Sequence, residues 1–197
     1  GMQIPEICEY RKKKHYAEHY AKTYDMLTHA FAILQNAKYA EHPTADAMIK
    51  KYREKDYLID TYHRQFYFRY DQLEDKEPFV QLRQLVENVY TNDYLNKICI
   101  AWNSALGTAE SASLSIPMQR RFYSRYLGIK NRAKTVVFIS DALRFEVGME
   151  LMDRLAKDPN CASVKMDTML SVLPSITKTG MAALLPHKEL SIDGEKV

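Results

Sequence analysis

The chain has 197 residues and a mass of 23.0 kDa, with 46% hydrophobic and 27% charged residues, a globular balance that excludes a disordered tail. Its net charge of +3 is far from that of a dedicated nucleic-acid binder. No apolar run approaches the ~18 residues of a membrane span, and six glycines with seven prolines argue for long helices over a many-stranded barrel.

The N-terminus lacks the basic-then-apolar pattern of a secretory signal. Cys8, Cys99 and Cys161 are odd in number and widely scattered, and no CxxC pair occurs. Neither a disulfide framework nor a zinc finger is expected, and a reducing cytoplasm is the expected location. Gly1 before Met2 is read as an added residue and left out of the fold reasoning. All 14 tyrosines lie between Tyr10 and Tyr126. Residues 1–134 carry net +5 and residues 135–197 net −2. The change predicts two parts, a helical module over 1–134 and an α/β part over 135–197.

Tyr16, Tyr20, Tyr24, Leu27, Phe31 and Leu34 step by three and four, which is one face of an α-helix. His42-Pro43 breaks it, because a residue before proline avoids the α region. Thr44 starts a second run with an apolar stripe at Met48, Tyr52, Ile59, Tyr62, Phe66 and Tyr70. Pro78 suits the first turn of a third, carrying Val80, Leu82, Leu85, Val86 and Val89. Thr91-Asn92-Asp93 interrupts it before Leu95, Ile98, Trp102 and Leu106. Residues 107–116 read as a loop, and a last helix runs from near Pro117 to Gly128.

The second part changes period. Val136-Val137-Phe138-Ile139 is a continuous β-branched and aromatic run, as in a strand buried on both faces. Leu143, Val147, Leu151 and Leu155 follow at helical spacing, closed by Asp158-Pro159. Ala162, Val164 and Met166 alternate like a second strand. A loop through Leu173-Pro174 leads to a short apolar helix from Met181 to Leu185, stopped by Pro186. This order predicts a parallel, right-handed βαβ unit. Function in such sheets lies beyond the carboxyl ends of the strands, which points to Asp141 and the loop 167–177.

Asp141 at a strand tip can bind a cation, or it can cap the following helix. Thr177 sits where a helix begins, a position suited to phosphate or to a nucleophile activated by a metal. Its alternative is also a cap, formed by Ser175 or Thr177. Arg144 and Glu146 either orient Asp141 or pair with each other.

The stretch from Val136 to Glu146 resembles the opening motif of the PglZ domain. Leu173-Pro174-Ser175-Ile176-Thr177-Lys178-Thr179-Gly180, continuing to Pro186, resembles its second motif. The helical stretch with Tyr90-Thr91-Asn92, Leu95 and Trp102 looks like the region preceding that domain in type A PglZ proteins of bacteriophage-exclusion (BREX) systems. The resemblance implies an alkaline-phosphatase-like fold, here a helical bundle followed by a truncated parallel βαβ unit. It also implies a two-metal site, of zinc or another divalent cation. On it, Asp141 is a metal ligand and Thr177 both nucleophile and ligand. Thr179 is the fallback nucleophile, and Arg144 and Glu146 are supporting residues. The implied activity is a phosphatase or phosphodiesterase acting through a phosphoryl-threonine. The implied partners are other phage-defence proteins, with a nucleic acid or nucleotide phosphoester as substrate and no membrane.

One departure qualifies the match. The family completes its metal site with Asp and His residues well downstream, whereas this chain offers only His187, Glu189, Asp193 and Glu195 after Thr177. A two-metal site takes roughly six to eight protein donors. The expectation is a fragment of a longer phosphatase-like protein, inactive or nearly so by itself. The competing reading is a non-catalytic helical interaction module with a degenerate phosphatase-like tail. For it, the aromatic segment Tyr62 to Tyr70 is the candidate partner surface. His15 with His19, and the basic run Arg11 to Lys14, read as solvated faces.

Overall fold

A computed structural model describes residues 3–15, 17–40, 44–108, 114–128 and 134–191. Two units divide the chain, Gly1–Ser113 and Leu114–Val197. The expected break at His42-Pro43, Tyr16, Asp193 and Glu195 lie outside the described residues.

The first unit is helical. The helix α1 (Ile4–Lys12) is opened by Gln3, whose backbone N–H donates to Glu6 Oε2 at 3.0 Å. It packs against α2 (Ala17–Asn36), which also packs against α4 (Tyr57–Tyr70). The helix α3 (Ala45–Lys51) starts where Thr44 is expected to start it: the Thr44 hydroxyl accepts from the Ala47 N–H at 3.2 Å. A π-helical stretch, Tyr52–Asp56, joins α3 to α4 without a break. A 3₁₀ turn, Glu77–Phe79, leads into α5 (Val80–Asn88). A second π-helical stretch, Val89–Leu95, continues into α6 (Asn96–Thr108). Thr91-Asn92-Asp93 therefore widens the helix rather than ending it. The wider turn shifts the side-chain period, which is why the pattern reads as an interruption.

The core differs in one respect from the expected stripe. On α2 the buried residues are Met26, Ala30 and Ile33, one position before Leu27, Phe31 and Leu34. One residue is a rotation of about 100°. The small Ala30 lets a neighbouring helix approach, and Tyr20 stays exposed. Ile59, Phe66 and Tyr70 of α4, with Val86, Tyr90 and Tyr94, complete the same cluster. The segment Tyr62 to Tyr70 is thus mainly core, with Phe68 exposed. Leu85, expected to be buried, is also exposed.

Charge ties the helices together as well. Asp25 of α2 meets Lys12 Nζ of α1 at 2.5 Å and Arg69 of α4 at 3.1 Å. Lys12 is therefore paired, not part of a solvated basic run. Asp60 is buried and accepts from the Tyr52 hydroxyl at 2.5 Å and the Tyr90 hydroxyl at 2.8 Å. Among the described residues, no helix is long and apolar enough to cross a membrane.

In the second unit the expected helix from Pro117 to Gly128 becomes a 3₁₀ turn, Gln119–Arg121, and a π-helical turn, Tyr123–Leu127. Two helices follow, α7 (Phe145–Leu155) and α8 (Thr177–Leu184). The expected strands over 136–139 and 162–166 do not form. Among the described residues this unit has no β-ladder, only an isolated parallel bridge between Met118 and Leu170. A strand exists through a neighbour that takes up its backbone hydrogen bonds, and β-propensity alone does not supply one. Phe138 accordingly stands 91% exposed. The helix between the two segments does form. Met166 reaches α7 where Gly148 has no side chain: a Cβ there would lie 2.7 Å from Met166 Cε.

Candidate functional site

Asp141 occupies a turn after the apolar run. Its Oδ1 accepts from the N–H of Ala142 at 3.0 Å. Ala142 has φ 54°, in the left-handed region that a non-glycine residue rarely adopts. With Oδ1 turned to its own backbone, Oδ2 faces another segment. Asp141 does not cap α7, because the residue before that helix is Arg144.

Thr177 is the first residue of α8. The residue before it is Ile176, and no side chain caps the helix. The Thr177 hydroxyl instead donates to Asp141 Oδ2 at 3.0 Å. Both side chains are exposed. Both line one cavity of about 530 Å³, together with Gln119, Ser171, Ile139 and Met181. The two residues singled out in the sequence, from separate motifs, thus share one site. The first-turn amides of α8 have no partner upstream within the helix, and Thr177, which opens that turn, lines the cavity.

The other candidates lie elsewhere. Thr179 is buried and its hydroxyl finds no partner among the described residues. Two residues along a helix turn the side chain by about 200°, so Thr179 points away when Thr177 faces the cavity. Arg144 and Glu146 pair with each other, Nε to Oε1 at 3.1 Å, and Glu146 is 1% exposed. Neither lines the cavity. His187 Nδ1 lies 2.8 Å from the Leu185 carbonyl.

Two cavity residues are not singled out individually by the sequence, although Ser171 lies in the loop 167–177 to which the strand-end rule points. Ser171 sits in the loop between the bridge and the cis Leu173-Pro174 bond. Gln119 fits a helix pattern yet makes long-range bonds: its Nε2 donates to the Gly180 carbonyl at 3.2 Å, and its Oε1 accepts from the Val172 N–H at 3.1 Å.

A metal can be tested against this geometry. Two oxygens on adjacent positions of one divalent ion, each ~2.1 Å from it, are about 3 Å apart. The Asp141–Thr177 spacing matches one such edge. The match stops there. Among the described residues no group of three or more His, Cys, Asp or Glu side chains could hold a metal. The pair does not by itself fit a two-metal site.

Residues 125–197 match the BREX system PglZ alkaline phosphatase-like domain. The chain is 36% identical to the alkaline phosphatase-like protein PglZ of Bacillus cereus (strain H3081.97), over 95% of this chain and 23% of that protein. It is 32% identical to the alkaline phosphatase-like protein BrxZ of Escherichia coli O9:H4 (strain HS), over 55% of this chain and 13% of that one. The resemblance to PglZ proteins carried by the two motifs is therefore shown, and the chain spans about a quarter or less of the length of these curated relatives. No solved structure matches.

Proposed function

We propose that this chain forms part of a phosphoric-ester hydrolase, a phosphatase or phosphodiesterase, in which Thr177 is the nucleophile. The observation that carries the reading is the 3.0 Å hydrogen bond from Thr177 to Asp141, inside an open cavity and across two separate motifs. A hydroxyl held by a carboxylate at a helix start combines a nucleophile, an acceptor for its proton and amide donors for phosphate oxygens.

The step balances on the chain's own groups. Thr177 Oγ1 attacks phosphorus and forms an O–P bond, while the bond to the leaving alcohol breaks. The hydroxyl proton passes toward Asp141 Oδ2, which already accepts it. The departing alkoxide takes up that proton, returned from Asp141 Oδ2, and leaves as the alcohol. Water then cleaves the phosphoryl-threonine, restoring the hydroxyl and releasing phosphate from a monoester or a phosphomonoester from a diester.

Zinc or another divalent cation is the proposed cofactor, with Asp141 and Thr177 as two of its ligands. Such an ion would supply Lewis acidity and would neutralise phosphate charge. It would need further donors besides this pair, since among the described residues no group of three or more His, Cys, Asp or Glu side chains could hold it. The proposed setting is a phage-defence system, with other defence proteins as partners and a nucleotide or nucleic-acid phosphoester as a candidate substrate.

The test is zinc- and manganese-dependent hydrolysis of a nitrophenyl phosphodiester by the 197-residue chain and by the full-length product of its gene. Thr177→Ala and Asp141→Ala are measured beside the unmodified protein. Metal-dependent turnover lost in both variants is the expected result. No turnover in either form, with zinc binding unchanged by Asp141→Ala, moves the reading to a helical interaction module.

A further inference from the structure

Gln119 ties its own segment to three other residues, Leu170 by its backbone and Val172 and Gly180 by its side chain. Its own backbone N–H donates to the Leu170 carbonyl at 2.8 Å, and the Leu170 N–H donates to the Pro117 carbonyl at 2.8 Å. That parallel bridge fixes residues 117–119 beside residue 170. The side-chain amide then reaches two further backbone groups. Its oxygen accepts from the Val172 N–H at 3.1 Å, and its nitrogen donates to the Gly180 carbonyl at 3.2 Å.

The two partners settle the orientation of the amide. A backbone N–H demands an oxygen on one side, and a carbonyl demands an NH₂ on the other. A side-chain amide presents both from one planar group without depending on pH, and Gln has a longer reach than Asn. Val172 begins the approach to α8, and Gly180 lies less than one turn after Thr177. The amide therefore fixes both the entry to α8 and its first turn. The side chain also lines the Thr177–Asp141 cavity. A Cβ at Gly180 would stand 3.5 Å from Gln119 Nε2, an ordinary contact, so the clamp does not depend on a glycine there.

We propose that Gln119 is a positioning residue for Thr177: by clamping Val172 and Gly180 it holds the Thr177 hydroxyl at Asp141. Gln119 lies outside the residues 125–197 that match the PglZ domain, so the working site extends upstream of that match. The effect on turnover rests on the phosphoesterase reading given above; the clamp itself does not.

Two variants separate the bonds. Gln119→Ala removes both. Gln119→Glu keeps the acceptor for Val172 but, as a carboxylate, offers Gly180 no proton. When protonated, the same acid donates to Gly180 again.

Three readouts are taken on the 197-residue chain, with kinetics also on the full-length product of its gene. In Gln119→Ala the Val172 amide exchanges about tenfold faster, the cost of one ordinary hydrogen bond. In Gln119→Glu it keeps its protection. A crystal structure of Gln119→Ala shows Thr177 Oγ1 beyond hydrogen-bond reach of Asp141. With the nitrophenyl phosphodiester, both variants lose about tenfold in kcat at neutral pH with KM within about twofold. Measured against the unmodified protein at each pH, Gln119→Glu recovers part of the loss as pH falls toward the carboxyl range, whereas Gln119→Ala does not.

Unchanged Val172 exchange in Gln119→Ala overturns the clamp. A Thr177–Asp141 contact that survives in that variant overturns the positioning role, as does an unchanged kcat. A wild-type protein that hydrolyses nothing refutes the phosphoesterase reading instead. The exchange and structural readouts then still decide the clamp.

Discussion

The Thr177 hydroxyl donates to Asp141 at 3.0 Å although 36 residues separate the two. Neither residue is used as a helix cap, so the contact is not a by-product of local structure. Thr177→Ser keeps the oxygen and is expected to keep turnover within about tenfold, while Thr177→Val keeps the shape and loses about a thousandfold or more. Both side chains are exposed, so Thr177→Val changes unfolding stability by under about 1 kcal/mol. Phosphodiester kinetics and urea unfolding of each variant check this. Turnover surviving in Thr177→Val would remove Thr177 from the chemistry.

The turn that carries Asp141 stores strain at Ala142, with φ 54°. A side chain in the left-handed region costs ~1–2 kcal/mol, and glycine escapes that cost. Ala142→Gly is expected to stabilise the chain by about 0.5–1 kcal/mol, the greater backbone freedom of unfolded glycine offsetting part of the gain. Ala142→Val, branched at Cβ, destabilises it. Denaturant midpoints of the two variants measure the difference. A loss of stability in Ala142→Gly would mean that the turn is not strained in solution.

Much of this was legible in the sequence, and the exceptions have physical causes. Thr44 reads as a cap because capping is local, and the structure has it accepting from Ala47. Asp141 and Thr177 are each visible by position, and both the strand-end rule, through the loop 167–177, and the family resemblance bring them to one site; spacing alone leaves both open as caps. The run Val136 to Ile139 carries strand propensity, yet a strand needs a neighbour, and among the described residues none pairs with it. Gln119 was invisible because it bonds to backbone atoms 53 and 61 residues away, which no periodicity records.

In the helical unit Asp60 is the acceptor for both Tyr52 and Tyr90. A buried carboxylate is tolerable only with such donors, and its removal takes an acceptor from two hydroxyls at once. Asp60→Ala is expected to cost about 3 kcal/mol, comparable to deleting a large core side chain. Tyr90→Phe removes one donor and costs about 1 kcal/mol. The single tryptophan, Trp102 of α6, reports unfolding of this unit by its emission. Equal effects of the two variants would show that Asp60 is not the centre of the network.

Glu87 gives the same unit an acid limit. Its Oε2 accepts from the Tyr67 hydroxyl at 2.7 Å and lies 3.1 Å from His63 Nε2, and its Oε1 accepts from Thr91 at 3.1 Å. The Tyr67 hydrogen bond is the strongest influence; with His63 and Thr91 it outweighs partial burial and holds the carboxyl below its usual value of 4.5. A group whose pKa is lower folded than unfolded contributes stability above the unfolded value. That contribution fades as pH falls from there through the folded value. The side chain is 43% exposed, so solvent screening keeps the contribution under about 1 kcal/mol. Tyr67→Phe removes the leading donor. It should lower stability near neutral pH and make the remaining loss on acidification smaller and centred closer to the usual carboxylate range. Trp102 emission during thermal unfolding, followed from about pH 7 down to about pH 3, resolves the two curves. Curves that stay parallel throughout would mean that Tyr67 does not set the Glu87 titration.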